Sequence, residues 1–149
     1  SDLYHESIKQ FIMPHTHFSK AHEQYVIAKH LLHTTLPLVK DPKLLIGITH
    51  NMYDSMTHAS NILTKSPSIP VKTVKISEVH QKFGKQFDEL HRTIQSYKKS
   101  PVVFRRQENF IICSPDYEIE PITKQRVQGQ LNVLKEFLME ISAIINRKD

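Results

Sequence analysis

An all-α domain built as a four-helix bundle, with a β-hairpin inserted between the third and fourth long helices, is the fold this chain of 149 residues predicts. Three observations carry that expectation. Four stretches repeat apolar residues at steps of three and four, the spacing that puts them on one side of a helix. The stretch 102–113 abandons that period for two β-rich runs about a polar turn. Glycine is scarce, at three residues, which disfavours a loop-rich all-β domain and any Gly-rich phosphate loop.

Residues 1–14 predict a short amphipathic N-terminal helix carrying Leu3, Ile8, Phe11 and Ile12, ended by Pro14. The first long helix is expected from about Ser19 to Leu36, with Phe18, Ala21, Tyr25, Ala28, Leu32, Leu36 and Val39 as its stripe. Pro37 should kink or finish it, because a proline lacks the amide proton and crowds the preceding turn. A short link, Leu38-Val39-Lys40, then makes the first two long helices antiparallel neighbours.

The second long helix is the clearest element. Asp41 can cap its free amides, and Pro42 suits a first turn where a missing N–H costs nothing. Leu45, Ile48, Met52, Met56, Ala59 and Leu63 share one face. Residues 65–76 follow as a connector, with Pro67 and Pro70 as breakers and Val71–Ile76 extended. The third helix starts at Ser77, and its stripe is Val79, Phe83, Phe87, Leu90, Ile94 and Tyr97. Gly84 on it suggests a close helix contact. Ser100-Pro101 stops it. The hairpin 102–113 turns about Gln107-Glu108-Asn109 and must pack on the helices or pair with another chain, since an isolated hairpin is marginal in water. A loop from Ser114 to Pro121 leads to Thr123, the expected cap of the last helix. Its stripe is Val127, Leu131, Leu134, Leu138, Ile141 and Ile145, widened by Phe137 and Ile144.

Composition sets the class. Residues 1–149 read as a single domain, and roughly 70% of such a chain's unfolded surface can be buried, enough for a core without metals or disulfides. Cys113 is the only cysteine, so an internal disulfide is excluded and a reducing, cytoplasmic compartment is expected. No apolar run nears the ~18 residues of a membrane span. The net charge of +5 is compatible with mild nucleic-acid affinity without demanding it. Histidine is unusually frequent. There are ten, eight of them before residue 59, so positive charge grows near pH 6.

Two constellations carry chemistry. His50, Asp54 and His58 stand one turn apart on the second long helix, and imidazole with carboxylate is a common donor set for zinc. At about 100° per residue they lie opposite the apolar stripe, so they face solvent or a neighbour and not the core. A solvated polar face is the commoner meaning of such a triplet. His30 and His33 add a His-x-x-His pair on the first long helix. Together the five residues support a divalent metal as the alternative to having no cofactor. The second constellation is basic: Lys82, Lys85, Arg92, Lys98 and Lys99 on the third helix, with Arg105 and Arg106 beside Phe104 in the hairpin, can form one positive surface, and the hairpin pair offers RNA both charge and a stacking surface. Their interleaving with Asp88, Glu89 and Glu108 also fits an ordinary solvated surface.

Enzymatic signatures are lacking. Cys113 sits in an apolar run, which makes a thiol inert. No Gly-x-Ser-x-Gly elbow surrounds Ser114. Helical ribonucleases of the HEPN type place a histidine one or two turns after an arginine; here His91 precedes Arg92 and no histidine follows. The expectation is therefore a non-enzymatic, self-associating interaction protein, a homodimer through the hairpin edge and the N-terminal segment. The alternatives are a metal-binding bundle and an RNA-binding module.

Two stretches resemble a known group. Leu36-Pro37-Leu38-Val39-Lys40-Asp41-Pro42-Lys43-Leu44-Leu45, continuing to Asn51 and Ala59, is similar to small archaeal helical proteins with no assigned activity. So is Lys99-Ser100-Pro101-Val102-Val103-Phe104-Arg105-Arg106 through Ile112-Cys113-Ser114 to Tyr117. The resemblance covers roughly half of the chain. It implies an archaeal-type cytoplasmic protein and carries over no functional residue.

Overall fold

The structure, a computed structural model, describes residues 2–65, 70–99, 102–107, 109–113 and 119–146. Helix α1 (Asp2–His30) runs through a π-helical turn (Leu31–Thr35) into α2 (Leu36–Val39), so the three form one rod. Then come α3 (Leu44–Lys65), α4 (Pro70–Lys99), strands β1 (Val102–Arg106), β2 (Asn109–Cys113) and β3 (Ile119–Ile122), and α5 (Lys124–Ile145). Four long rods and a small antiparallel sheet between α4 and α5 make the predicted architecture.

Three of the prolines read as breakers, Pro14, Pro37 and Pro70, are accommodated inside or at the start of a helix, while Pro67 and Pro101 lie outside the described residues. Pro14 lies within α1, so no short helix ends there. One lost hydrogen bond and its steric cost, about 3 kcal/mol in a helix interior, is tolerable in a long helix whose later turns are buried. Pro37 follows the π turn, where the amide of Leu36 donates to the carbonyl of Leu31, one residue wider than an α-turn. The wider turn relieves the crowding a proline ring imposes on the carbonyl four residues back. The rod ends three residues later at Lys40, in the left-handed region at φ 56, with its amide on the Leu36 carbonyl at 2.8 Å. Pro70 opens α4, where its missing amide proton costs nothing. The predicted connector 65–76 therefore shrinks. Lys65 belongs to α3 and Pro70–Ile76 to α4, so Ser77 is not a cap, and 66–69 lie outside the described residues.

The caps of the other helices are as expected. Asp41 Oδ1 accepts the Lys43 amide at 3.0 Å before α3, and Thr123 Oγ1 accepts the Arg126 amide at 3.1 Å before α5. Extensive packing joins α1 to α3, α3 to α4, α4 to α5 and α5 to α1, and α3 also meets α5 across the middle. With three neighbours, α3 buries a broad face: Leu45, Ile46, Ile48, Thr49, Met52, Ser55, Met56, Ala59 and Ile62. The core adds Ala21, Ala28 and Leu32 from α1, Phe83 and Leu90 from α4, and Val127, Leu131, Leu134, Phe137, Leu138 and Ile141 from α5. Each large apolar side chain fully buried there contributes about 1.5–3 kcal/mol. The Phe83 and Phe137 rings meet at 5.1 Å, tilted by 57°. Gly84 does not mediate a close helix contact, because a Cβ built on it meets nothing within 4 Å.

The sheet has the order β1-β2-β3. The hairpin β1–β2 was expected; β3 replaces the end of the expected loop to Pro121. Pro121 pairs with Ile111 on an edge strand, where a missing amide need not break a ladder. Gln107 takes the chain round the hairpin at φ 56. Phe110, Ile112 and Ile122 join the helical core, so the hairpin is not left isolated. The loop residues 114–118 and Glu108 lie outside the described residues.

Candidate functional site

The up-and-down connectivity puts the α2–α3 turn and the end of α4 at the same end of the bundle, and the sheet packs there too. Between them lies a cleft of about 930 Å³ lined by Val39, Lys40, Asp41, Pro42, Lys43, Tyr97, Lys98, Phe104, Arg105 and Phe110. That volume is in the range of small-ligand sites, ~300–1,000 Å³.

Each wall has a structural cause. Asp41 and Pro42 start α3, which turns Lys40 and Lys43 out beside the cap. Tyr97 and Lys98 come from the last turn of α4. The register pairs Arg105 with Phe110 and Phe110 with Ile122, so Arg105 is on the sheet face that packs on the helices. Phe104 and Arg106 alternate to the other face. Phe104 is opposite Ile111 and reaches the cleft at its rim. Tyr97 stands over Phe110, ring centroids 6.0 Å apart. A polar clamp fixes this end. Glu89 Oε1 accepts from Arg126 Nη2 and from Gln130 Nε2, both at 3.3 Å, and Arg126 Nη1 donates to the Pro121 carbonyl at 3.3 Å. It ties α4, α5 and β3 together behind the cleft.

The electrostatics are one-sided. Four cations, Lys40, Lys43, Lys98 and Arg105, face one carboxylate, Asp41, which already holds the Lys43 amide. Among the described residues the ion pairs are Lys82–Glu140 at 2.8 Å and Arg126–Glu89 at 3.3 Å, both away from the cleft. Neither of these pairs involves a cation of the cleft. Exposed apolar surface borders them: Val39 is 60% exposed, Phe104 40% and Tyr97 37%. Charge beside aromatic rings can hold an anion that carries a flat ring.

Of the basic residues singled out in the sequence, Lys98 and Arg105 meet in this cleft, whereas Lys99 and Arg106 are exposed outside its lining. Lys40, Lys43 and Tyr97 were missed. Tyr97 reads as a core position by spacing alone. The other two had a topological signal, since in an up-and-down bundle the first link and the end of the third rod share an end.

The histidines distribute differently. Asp54 is exposed, and His50 and His58 are half-buried. His58 turns toward α1, its ring 6.4 Å from that of His17, and its Nδ1 is buried without a hydrogen-bond partner among the described residues. At that edge of α3, His58 therefore faces a neighbouring helix, α1, and not open solvent. His30 and His33 are exposed on the rod. Among the described residues no three of His, Cys, Asp and Glu come together as a metal-ligating group, and no helix is long and apolar enough to cross a membrane. Comparison with known protein families, with curated proteins and with solved structures finds no match to this chain.

Proposed function

We propose that this protein binds single-stranded RNA in the cleft between the α2–α3 turn, the end of α4 and β1. The carrying observation is the convergence of Lys40, Lys43, Lys98 and Arg105 on a cavity walled by Tyr97 and rimmed by Phe104. Cations take the phosphates, and the tyrosine ring offers a base a stacking surface worth ~1–3 kcal/mol. Asp41 is the one acceptor-only group in the cleft, suited to a ribose hydroxyl or a base amino group. The volume suits one or two nucleotides.

Charge weighs against a second copy of the chain as the occupant of this end. β1 is an edge strand bearing Arg105 and Arg106, and charged edges discourage strand addition. A second copy would bring the same cations. Binding of a labelled, unstructured RNA oligomer to wild type and to Lys98→Ala and Tyr97→Ala tests the proposal. Both variants should weaken binding, and Tyr97→Phe should retain it. Equal affinity of all four proteins would remove the cleft as the site.

A further inference from the structure

A second groove lies on the outer face of α4. It has about 620 Å³ and is lined by Gln81, Gly84, Lys85, Asp88, His91 and Arg92. From Lys85 the same helix face continues through Arg92 to Lys99 at intervals of seven residues, and all three side chains are exposed. Seven residues are nearly two helical turns, so the three cations form a row along one side of α4, about 21 Å from end to end. Its far end, Lys99, directly follows the cleft residue Lys98 in sequence and is itself exposed outside the cleft lining. Neither ion pair of the described residues uses a member of the row.

The groove has chemistry of its own. His91 stacks on Tyr53 at 5.6 Å, and Tyr53 stacks on Phe87 at 5.1 Å, so an imidazole is held at the groove by a three-ring stack. Arg92 adds a planar guanidinium, a group on which bases stack. Asp88 supplies an acceptor between Lys85 and Arg92. Gly84 leaves the groove floor bare, since a Cβ there would stand in open space.

We propose that an RNA strand seated in the cleft continues along α4 over Lys99, Arg92 and Lys85 into this groove, which makes the ligand a strand and not a free nucleotide. The proposal rests on the reading of the cleft given above. A row of about 21 Å accommodates roughly six further nucleotides of a stacked strand at ~3.4 Å each. The bound length is then about eight nucleotides, within the ~4–16 typical of sequence-tolerant single-strand binders.

Oligouridylates of three and ten nucleotides, titrated by fluorescence anisotropy against the whole chain, test it. The ten-mer should bind more tightly and with a steeper salt dependence. Lys85→Gln with Arg92→Gln should weaken the ten-mer about tenfold and reduce its slope of log affinity against log salt by about 1.4, the share of two phosphates on a single strand. The three-mer should be unaffected, and circular dichroism should show both proteins equally helical. Equal affinity for the two lengths, or a ten-mer indifferent to the double substitution while the three-mer still binds, overturns the track and leaves the cleft. No binding of either oligomer removes both.

Discussion

The Ser55 hydroxyl donates to the carbonyl oxygen of Ala21 at 2.6 Å, across the seam between α1 and α3, and both residues are fully buried. Small residues on both sides let the two rods approach closely, and the hydroxyl is satisfied where water is excluded. Ser55→Ala should cost about 0.5–1.5 kcal/mol, the net worth of one hydrogen bond. Ser55→Leu should cost more, by overpacking the seam. Urea denaturation ranks the two, and a Leu variant as stable as wild type would mean the seam is looser than described.

Phe137 is the largest fully buried side chain of α5 and packs its ring on Phe83. Phe137→Ala should destabilise the fold by about 3–5 kcal/mol, because the cavity adds to the lost transfer energy. Phe137→Leu should retain most of that. Chemical denaturation measures both; a loss under 1 kcal/mol for the alanine would place Phe137 outside the core.

Tyr25 and Lys82 both hold their protons more tightly in the fold. Burial pushes the tyrosine above its ordinary 10.0, and the hydrogen bond and charge of Glu140 push the lysine above 10.5. A raised folded-state value gives stability that is full below the unfolded value and is lost as pH rises through the folded one. Melting temperature should therefore fall on going above about pH 10, and Glu140→Gln should remove the lysine's part of the fall. Thermal melts from pH 8 to 11 check it; a melting temperature that climbs across that range contradicts the assignment.

Arg126 bonds Glu89 on α4 and the Pro121 carbonyl on β3 through different nitrogens of one guanidinium. A lysine cannot reproduce that fork. Arg126→Lys should cost about 1 kcal/mol, kept small by the partial exposure of both charges, and should speed amide exchange in β2 and β3 more than in α3. Uniform exchange across the chain would show that the clamp does not anchor the sheet.

Much of this architecture is legible from spacing. On α3 Leu45, Ile48, Met52, Met56 and Ala59, and on α5 Val127, Leu131, Leu134, Leu138 and Ile141, are buried where the period of 3.6 puts them, with Ile145 half-buried at the end of its stripe, and Asp41 and Thr123 cap as their residue types suggest. What spacing cannot see is tertiary override. Pro14 and Pro37 read as stops because a proline weakens a lone helix, yet packing and one π turn carry the rod past both. β3 is hidden because Pro121 looks like a loop residue until a partner strand stands beside it. The cleft is only half legible. Lys98 and Arg105 stand out as basic residues, but Tyr97 fits the core stripe and Lys40 and Lys43 look like turn punctuation. That Arg105 and not Arg106 lines the cleft needs the strand register, which sets Arg105 opposite Phe110.

That alternation yields the sharpest test. An unstructured RNA oligomer, titrated at 50 and 200 mM salt against wild type, Arg105→Ala and Arg106→Ala, measures whether the helix-facing side of β1 is the binding side. Affinity should fall with salt, and Arg105→Ala should weaken binding several-fold more than Arg106→Ala. No binding at the lower salt, or equal losses from the two substitutions, would contradict the cleft as the seat of function.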